Sequence, residues 1–437
     1  MSPFAVTAIM FVSMLLLMVT GIPISFCLGI VGLCTTVFLW GPSSIDLVYF
    51  TLWNVANNFI LIAVPLFIFM GYILHQSGIA KDLFDSVYLW SGRVRGGLGI
   101  GTVAICAIMA AMVGISGAAT ISMGVIAVPA MLEKKYDKKI AIGLVQAGGA
   151  LGFLIPPSMM MIMYAFLSGE SVGRLFAGGV VPGLMLAAFY MSYIGIRCFL
   201  QPNMGPAIPV NERANLKEKF ISLKGLILPA ILILSVLGCI FFGITSPTEA
   251  AAVGATGALI CAAVRGTLTW QMVKDSALRT LNISSFTAFI IIGAVVFSTV
   301  YTGLGATQMI QATITGLDVS PWIIIICMQL SFFVLGMFLD DLAILFLCMP
   351  IYIPIIKALG FDPVWFAVLY VVNMQMAYIT PPYGINLFYM KSIAPKDVTM
   401  SDIYASVIPF VIIQFFALAL FLYFPQIILW LPNILFN

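Results

Sequence analysis

Charge is scarce in this chain. Only 8% of its 437 residues are Asp, Glu, Lys or Arg, whereas 62% are hydrophobic. A soluble domain carries roughly 25% charged residues, and a water-facing surface of this composition would expose large apolar areas. A lipid bilayer tolerates such a surface, and helices satisfy their own backbone hydrogen bonds within it. The composition therefore predicts an all-α polytopic membrane protein.

Motifs for catalysis and for nucleic-acid binding are also missing. His75 is the single histidine, which excludes an HExxH zinc site, and no GxSxG or Walker A string is present. The eight cysteines stand singly without a CxxC pair, which is typical of small apolar residues in membrane helices. A net charge of only +3 gives no support for nucleic-acid binding. We therefore expect neither an enzyme nor a nucleic-acid-binding protein, and no cofactor.

The two halves of the chain resemble each other when one is shifted along the sequence by a single constant offset. The positions that match at this offset include Asp137 with Asp362, and Pro156-Pro157 with Pro381-Pro382. Internal repeats are the usual construction of secondary transporters. We therefore predict a first repeat over residues 1–200, a cytoplasmic linker over 201–224 and a second repeat over 225–437.

The basic residues distinguish the two sides of the membrane, because cytoplasmic loops carry an excess of Lys and Arg. The loop 131–139 holds four lysines, whereas its counterpart 356–364 holds only Lys357. In the opposite direction, the loop 40–57 holds no basic residue, whereas 265–282 holds three. Equivalent loops are therefore expected on opposite sides, which makes the predicted repeat an inverted one.

Each half contains one apolar stretch that enters and leaves the membrane on the same side in this topology. These stretches, 98–131 and 321–355, are short for two full crossings, since one crossing takes roughly 20 residues. We interpret them as re-entrant hairpins that turn at Gly114–Thr120 and at Gly336–Asp341. Each hairpin is then expected to reach only part of the way across.

Both hairpin tips carry residues suited to binding ions. The first tip holds two glycines and two hydroxyl residues, which suits an open turn with accessible carbonyls or, alternatively, close helix packing. The second tip ends in Asp340-Asp341. A charge inside the membrane costs roughly 2.5–3.5 kcal/mol on insertion scales, so it predicts a cation ligand or a proton carrier. A helix cap is the structural alternative.

A Pro-Pro pair lies inside each of the later apolar spans, 140–167 and 364–390. Two consecutive prolines should unwind a spanning helix, because proline lacks the amide donor and disfavours the helical conformation of its predecessor. The freed carbonyls can bind a cation, and the following half-helix offers its N-terminal amides to an anion. The pattern occurs in both halves and predicts paired sites, with a structural kink as the alternative.

Longer strings around these prolines resemble a known family. The strings are Gly148–Ser158 (GGALGFLIPPS), Gly243–Ala252 (GITSPTEAAA) and Ile379–Phe388 (ITPPYGINLF). They are similar to signatures of the large membrane subunit of the tripartite ATP-independent periplasmic (TRAP) transporters, and the resemblance covers essentially the whole chain. It implies an elevator-type, sodium-coupled importer in the bacterial inner membrane. The implied partners are a separate small four-helix membrane subunit and a periplasmic substrate-binding protein.

The resemblance and the tip chemistry together give a candidate site. The expected sodium-binding residues are Ser116, Gly117, Thr120 and Pro156 at the first tip, and Gly336, Asp341, Thr380 and Pro381 at the second. The expected substrate-binding residues are Pro157, Ser158, Pro382, Gly384 and Asn386. The substrate is expected to be a small organic anion, a carboxylate or a sulfonate, bound between the two breaks. The second tip lacks the hydroxyl-rich character that the family implies.

Three other interpretations remain open at this point. Asp340 or Asp341 could couple transport to protons instead of sodium. The chain could transport free substrate without a binding protein. It could also be a membrane scaffold that transports nothing, although the duplicated helix breaks argue against this.

Overall fold

The structure, a computed structural model, describes residues 1–114, 116–209 and 214–436. The regular structure in these ranges is entirely helical. Eight of the described helices are long and apolar enough to cross a membrane. The prediction of an all-α protein with many membrane spans is confirmed. Position 115 of the predicted first tip, positions 210–213 of the predicted linker and the last position of the second repeat lie outside the described residues.

Ten α-helices make up the described part of the first half. They are α1 (Pro3–Val19), α2 (Ile24–Thr35), α3 (Ile45–Ala56), α4 (Phe59–Gln76), α5 (Ile79–Ser91), α6 (Gly97–Val113), α7 (Ser116–Glu133), α8 (Lys138–Ala150), α9 (Met159–Ser168) and α10 (Val172–Leu200). Between α1 and α2 the chain turns at Gly21, whose φ is +84°, and Pro23 then precedes the first turn of α2.

Eleven further α-helices follow in the described part of the linker and the second half. They are α11 (Leu216–Ser222), α12 (Lys224–Phe241), α13 (Pro247–Val264), α14 (Trp270–Gly303), α15 (Ala306–Thr315), α16 (Pro321–Gly336), α17 (Asp341–Ala358), α18 (Pro363–Tyr378), α19 (Ile385–Ile393), α20 (Met400–Tyr423) and α21 (Gln426–Phe436).

The helices of the two halves follow the same constant offset as the sequence matches. This offset relates α7 to α17 at both ends, and it relates the first residue of α8 to the first residue of α18. The residues before α8 and α18 are Asp137 and Asp362, and each side chain accepts hydrogen bonds from the first amides of its helix. An N-terminal Asp cap satisfies amides that have no partner within the helix.

Each hairpin stretch is a pair of packed helices. Helices α6 and α7 pack together, and α6 ends at Gly114, whose φ of +66° is a left-handed conformation that glycine adopts without strain. Ser116–Thr120 already belongs to the first turns of α7, so the first tip is shorter than the open turn expected from the sequence. Helices α16 and α17 also pack together, with residues 337–340 between them.

Both later spans are interrupted at their prolines, and both Pro-Pro peptide bonds are cis. Helix α8 ends at Ala150, a 3₁₀ turn covers Leu151–Phe153, and α9 begins only at Met159. Helix α18 ends at Tyr378 and α19 begins at Ile385. Two half-helices therefore begin directly after the two breaks.

The interrupted helices lie at the centre of the protein. All residues of α8 from Ile140 to Ala150 are buried, as are all residues of α18 from Val364 to Ala377. Helices α6–α9 and α16–α19 form what we call the central group. Helices α1, α2 and α4 pack with α12–α14 in what we call the flanking group.

Helices α3, α5 and α15 lie outside the hairpin and interrupted-helix stretches expected from the sequence. Helix α5 is amphipathic, since it buries Leu83 and Phe84 while Lys81 and Asp85 are exposed. Its charged face interrupts the apolar run, so the sequence did not indicate a membrane helix here. Its buried face packs on α6.

Candidate functional site

The first hairpin tip contacts a half-helix from the other half of the chain. The side-chain amide of Asn386 in α19 donates hydrogen bonds to Ser116 Oγ at 3.2 Å and to the Gln146 carbonyl oxygen at 3.3 Å. All three residues are fully buried. The amide thereby connects the tip of α7, helix α8 and the start of α19 at one point.

Three buried oxygen atoms on Thr120 and on these residues have no hydrogen-bond partner among the described residues: Thr120 Oγ1, Gln146 Oε1 and Asn386 Oδ1. The Gln146 side chain extends to α20, where its Nε2 donates to Ser406 Oγ at 3.3 Å. Burying a polar atom without a partner costs roughly 1–3 kcal/mol, so such a cluster is unusual in a folded core. No group of three or more His, Cys, Asp or Glu side chains suited to a metal occurs among the described residues. The oxygens beside Ser116 therefore fit a weakly coordinated cation such as Na⁺ rather than a transition metal.

Close backbone contacts set the position of this tip. The Met159 amide donates to the Gly114 carbonyl at 3.5 Å, and a Cβ added at Gly114 would lie 2.6 Å from the Pro157 carbonyl oxygen. A Cβ added at Gly117 would lie 2.5 Å from the ring of Tyr389. The absence of side chains at these glycines lets the tip lie directly on the first break and on α19. Pro156 is buried in the same break.

The second tip encloses a small space against the second break. This cavity of about 10 Å³ is lined by Gly336, Leu339, Asp340, Asp341, Met374, Ala377, Tyr378, Tyr383 and Ile385. Such a volume is roughly that needed for one water molecule. Asp340 Oδ2 is buried without a hydrogen-bond partner, and the Tyr370 hydroxyl donates to the Asp341 carbonyl at 2.6 Å. One small ion fits this space.

Two residues expected at the second ion site lie outside this lining. The Thr380 hydroxyl donates to the Met376 carbonyl at 2.6 Å, which closes the last turn before the break. Pro381 follows it and is partly exposed. The structure therefore brings Gly336 and Asp341 together around the small cavity, whereas Thr380 and Pro381 lie in the adjacent break.

A larger cavity of about 300 Å³ lies between the two breaks. Its lining comprises Gly114, Phe153, Met159, Met160, Ile283, Phe286, Thr287, Asp340, Asp341, Leu342, Tyr378, Tyr383, Ile385 and Tyr389. Both hairpin tips, both breaks and helix α14 of the flanking group contribute to it. Met159 and Ile385 are the first residues of the two half-helices, so both helix N-termini meet at this cavity.

The five residues expected to contact substrate do not line this cavity. The Ser158 hydroxyl donates to the Phe153 carbonyl at 2.5 Å and accepts from the Met161 amide, so it caps α9. Asn386 lies with Ser116, and the Pro157 carbonyl faces Gly114. Pro382 is exposed, and Gly384 is the N-cap of α19. These residues shape the breaks, while their sequence neighbours form the cavity wall.

Only weak sequence signals marked the residues that line the cavity. Tyr378, Tyr383 and Tyr389 flank the second Pro-Pro pair, but tyrosine is common in membrane proteins. Gln146 carried a clearer signal, because it is a lone amide within the apolar helix α8. Thr287 and Phe286 belong to a distant helix, and only the packing of that helix brings them to the site.

Ion pairs connect loops of the two halves at two separate places. Glu170, just before α10, pairs with Lys357 in the last turn of α17, and Arg174, in the first turn of α10, pairs with Asp362, the N-cap of α18. Lys138, the first residue of α8, pairs with Asp397, after α19. The Lys138 ammonium donates a hydrogen bond to Asp397 and holds the pKa of this exposed carboxyl below its ordinary value. Each cluster therefore joins a helix end of the first half to a helix end of the second half.

Membrane helices that are interrupted at Pro-Pro pairs, with half-helix N-termini that meet at a cavity, are typical of secondary transporters. Residues 11–427 match the family model described as "Tripartite ATP-independent periplasmic transporter, DctM component". The chain belongs to this family. It is therefore a permease subunit of the inner membrane and not an enzyme.

The names of the chain's relatives include several different substrates. It is 34% identical to the C4-dicarboxylate TRAP transporter large permease protein DctM of Rhodobacter capsulatus, with 98% of this chain and 99% of that protein covered. It is 30% identical to the sialic acid large permease SiaM of Vibrio cholerae, with 96% of each covered. It is also 30% identical to the ectoine large permease TeaC of Halomonas elongata, with 86% and 87% covered.

Two solved structures share the fold at low sequence identity. The YdaH transporter of Alcanivorax borkumensis superposes with a TM-score of 0.67 at 15% identity, covering 88% of this chain and 89% of that one. MtrF of Neisseria gonorrhoeae gives a TM-score of 0.64 at 13% identity, covering 89% and 85%. Both comparisons support the helical architecture described above.

Proposed function

We propose that this chain is the transport-conducting subunit of a sodium-coupled importer of a small organic anion, a carboxylate or sulfonate. The observation that carries the proposal is the set of buried oxygens without partners at the first tip, together with the small cavity beside Asp341 at the second. A monovalent cation at each position would satisfy atoms that otherwise cost folding free energy. The cavity between them would hold the substrate.

Two inverted repeats and an elevator motion form part of the same proposal. The constant offset between the bounds of equivalent helices supports a repeat, and the ion pairs support opposite sides for its equivalent loops. In this proposal the central group moves as one body against the flanking group. The boundaries 1–200, 201–224 and 225–437 remain the proposed division of the chain.

We propose that the central group lies toward the cytoplasmic side of the flanking group. The cavity contacts Ile283 and Phe286 near the start of α14, shortly after the basic residues Lys274 and Arg279 that mark the cytoplasmic side. A hydrogen bond of 2.9 Å joins Ser122 of α7 to His75, which lies in the last turn of α4. Both contacts support a position of the hairpins near the proposed inner ends of the flanking helices.

Sodium is proposed as co-transported cargo that prepares the site for the anion. A cation at the first tip would be held by neutral oxygens of Ser116, Thr120 and Asn386. A cation at the second tip would neutralise charge on Asp341. The N-termini of α9 and α19 would then face the substrate's acid group with partial positive charge. A nearly neutral, filled site can cross the membrane at lower cost than a charged one.

Two partners complete the proposed transporter. A periplasmic binding protein would deliver the substrate, and a separate small membrane subunit would brace the flanking group. The isethionate TRAP transporter permease protein DctMQ of Oleidesulfovibrio alaskensis is 29% identical to this chain, which covers only 64% of that longer protein. That relative therefore has room for a second subunit within one polypeptide.

Uptake into proteoliposomes tests the proposal. The vesicles would contain this chain and its small partner, with binding protein loaded with labelled organic anions outside, and an inward sodium gradient present or replaced by potassium. The proposal expects uptake that needs both sodium and the binding protein. Uptake driven by a pH gradient without sodium would favour proton coupling through Asp340 or Asp341. Uptake of free substrate without binding protein would favour a standalone transporter.

A further inference from the structure

The cavity between the breaks has an unexpected charge for an anion site. None of the fourteen described residues in its lining is Lys, Arg or His, whereas Asp340 and Asp341 both belong to the lining. Arg279 lies one helical turn before Ile283, is exposed and does not line the cavity. An anion alone would meet two carboxylates here without a fixed cationic side chain in the wall.

Aromatic rings form much of the remaining wall. They are Phe153, Phe286, Tyr378, Tyr383 and Tyr389. The rings of Phe153 and Tyr378 are perpendicular with centroids 4.8 Å apart, so they line two adjacent sides of the space. Tyr389 is supported from behind by the backbone of Gly117. Aromatic faces attract cations, and cages of such rings are the usual recognition site for alkylated ammonium groups.

The cavity also contains features suited to an acid group. Met159 and Ile385 begin helices α9 and α19, whose N-termini carry partial positive charge. The Gly384 N-cap has no side chain to bond the first amides of α19. One cavity therefore offers helix N-termini for an anionic group, and carboxylates with aromatic faces for a cationic one.

We propose that the transported substrate is a small zwitterion, a carboxylate or sulfonate that also carries an alkylated or cyclic cationic nitrogen. This inference rests on the proposed function and narrows its substrate class. The cationic nitrogen lies among Tyr378, Tyr383 and Tyr389 near the aspartates. The acid group lies toward the N-termini of α9 and α19.

Ligand-dependent stabilisation of the full chain in lipid nanodiscs tests the inference. The unfolding midpoint would be followed by intrinsic fluorescence in sodium chloride and in potassium chloride, with glycine betaine or succinate added at millimolar concentration. We expect glycine betaine to raise the midpoint in sodium only, and succinate to leave it unchanged. Equal or greater stabilisation by succinate would overturn the inference while leaving the sodium-coupled anion importer intact.

Two variants and a control separate binding from folding. Tyr389→Leu should raise the glycine betaine concentration for half-maximal stabilisation at least tenfold, and Phe153→Leu should act in the same direction. Tyr49→Leu removes an exposed ring on α3 and should change nothing. Retained stabilisation by sodium alone would show that the variants fold. If neither sodium nor any solute stabilises the native chain, the proposed function fails, and the zwitterion inference fails with it.

Discussion

The side-chain amide of Asn386 donates a hydrogen bond to Ser116 Oγ at 3.2 Å, across 270 residues of sequence. The bond joins a half-helix of one half of the chain to the hairpin tip of the other. It leaves Asn386 Oδ1 buried without a partner among the described residues, and Thr120 Oγ1, one helical turn after Ser116 on α7, is likewise unpartnered. In our proposal this region holds a sodium ion, so Asn386 serves the ion rather than the substrate.

Asn386→Ala should weaken sodium binding at the first tip. The variant removes one oxygen and leaves Ser116 without its donor, and losing a buried hydrogen-bond partner costs roughly 1–3 kcal/mol. We expect the sodium concentration for half-maximal uptake to rise about tenfold, which corresponds to about 1.4 kcal/mol. Ser13→Ala in α1, whose hydroxyl bonds only its own helix, is the matched control. An unchanged sodium dependence would place the ion elsewhere.

Asp341→Asn distinguishes sodium coupling from proton coupling. In a sodium-coupled protein the variant should require a higher sodium concentration, because a charged ligand at the second tip becomes neutral. Uptake driven by an imposed pH gradient should be absent from both the native chain and the variant. A native chain that responds to the pH gradient, and a variant that has lost this response, would instead identify Asp341 as the proton carrier.

Gly149→Ala tests the close packing of α7 on α8. A Cβ at this position would overlap Thr120 Oγ1 and lie 2.9 Å from the Thr120 Cα. Overpacking of this kind costs typically about 1–3 kcal/mol, so the unfolding midpoint should fall and sodium stabilisation should weaken. Gly238→Ala is the control, because the nearest atom to its Cβ would be 4.0 Å away. That variant should be neutral or slightly stabilised, since alanine favours helix.

A cross-link between positions 75 and 122 should stop transport. The His75–Ser122 hydrogen bond joins the flanking group to the first hairpin, and an elevator motion must break it. His75→Cys with Ser122→Cys, in a background with the eight native cysteines replaced, should lose uptake on oxidation and regain it on reduction. The single variants His75→Cys and Ser122→Cys in the same background, oxidised in the same way, are the controls and should keep their uptake. Full uptake in the oxidised 75–122 protein would argue against the motion.

The inverted topology predicts which lysines face each side. Lys357→Cys should react with a membrane-impermeant thiol reagent added outside intact cells, and Lys138→Cys should react only after the membrane is opened. The two positions belong to ion-pair clusters that are equivalent in the two halves. Labelling of both from the same side would show that the repeat is not inverted. The protein without cysteines, treated with the same reagent, gives the background level of labelling.

Composition and local pattern alone determined the class of this protein. The low charge made a lipid environment necessary, and the interruptions at Pro156 and Pro381 followed from the lost amide donors of proline. The helical caps at Asp137 and Asp362 are likewise local, because each side chain bonds amides two or three residues away. The sequence pattern did not predict the amphipathic helix α5, because its charged face interrupts the apolar run.

Only the tertiary structure decided which side chains meet at the site. Asn386 reaches Ser116, and Phe286 and Tyr383 line one cavity, because helices from both halves pack around the interrupted α8 and α18. No sequence spacing encodes these contacts, since they depend on how the hairpins lie against the breaks. The sequence therefore predicted the polar tips and the broken helices, whereas packing determined the oxygen cluster and the aromatic, acidic lining of the cavity.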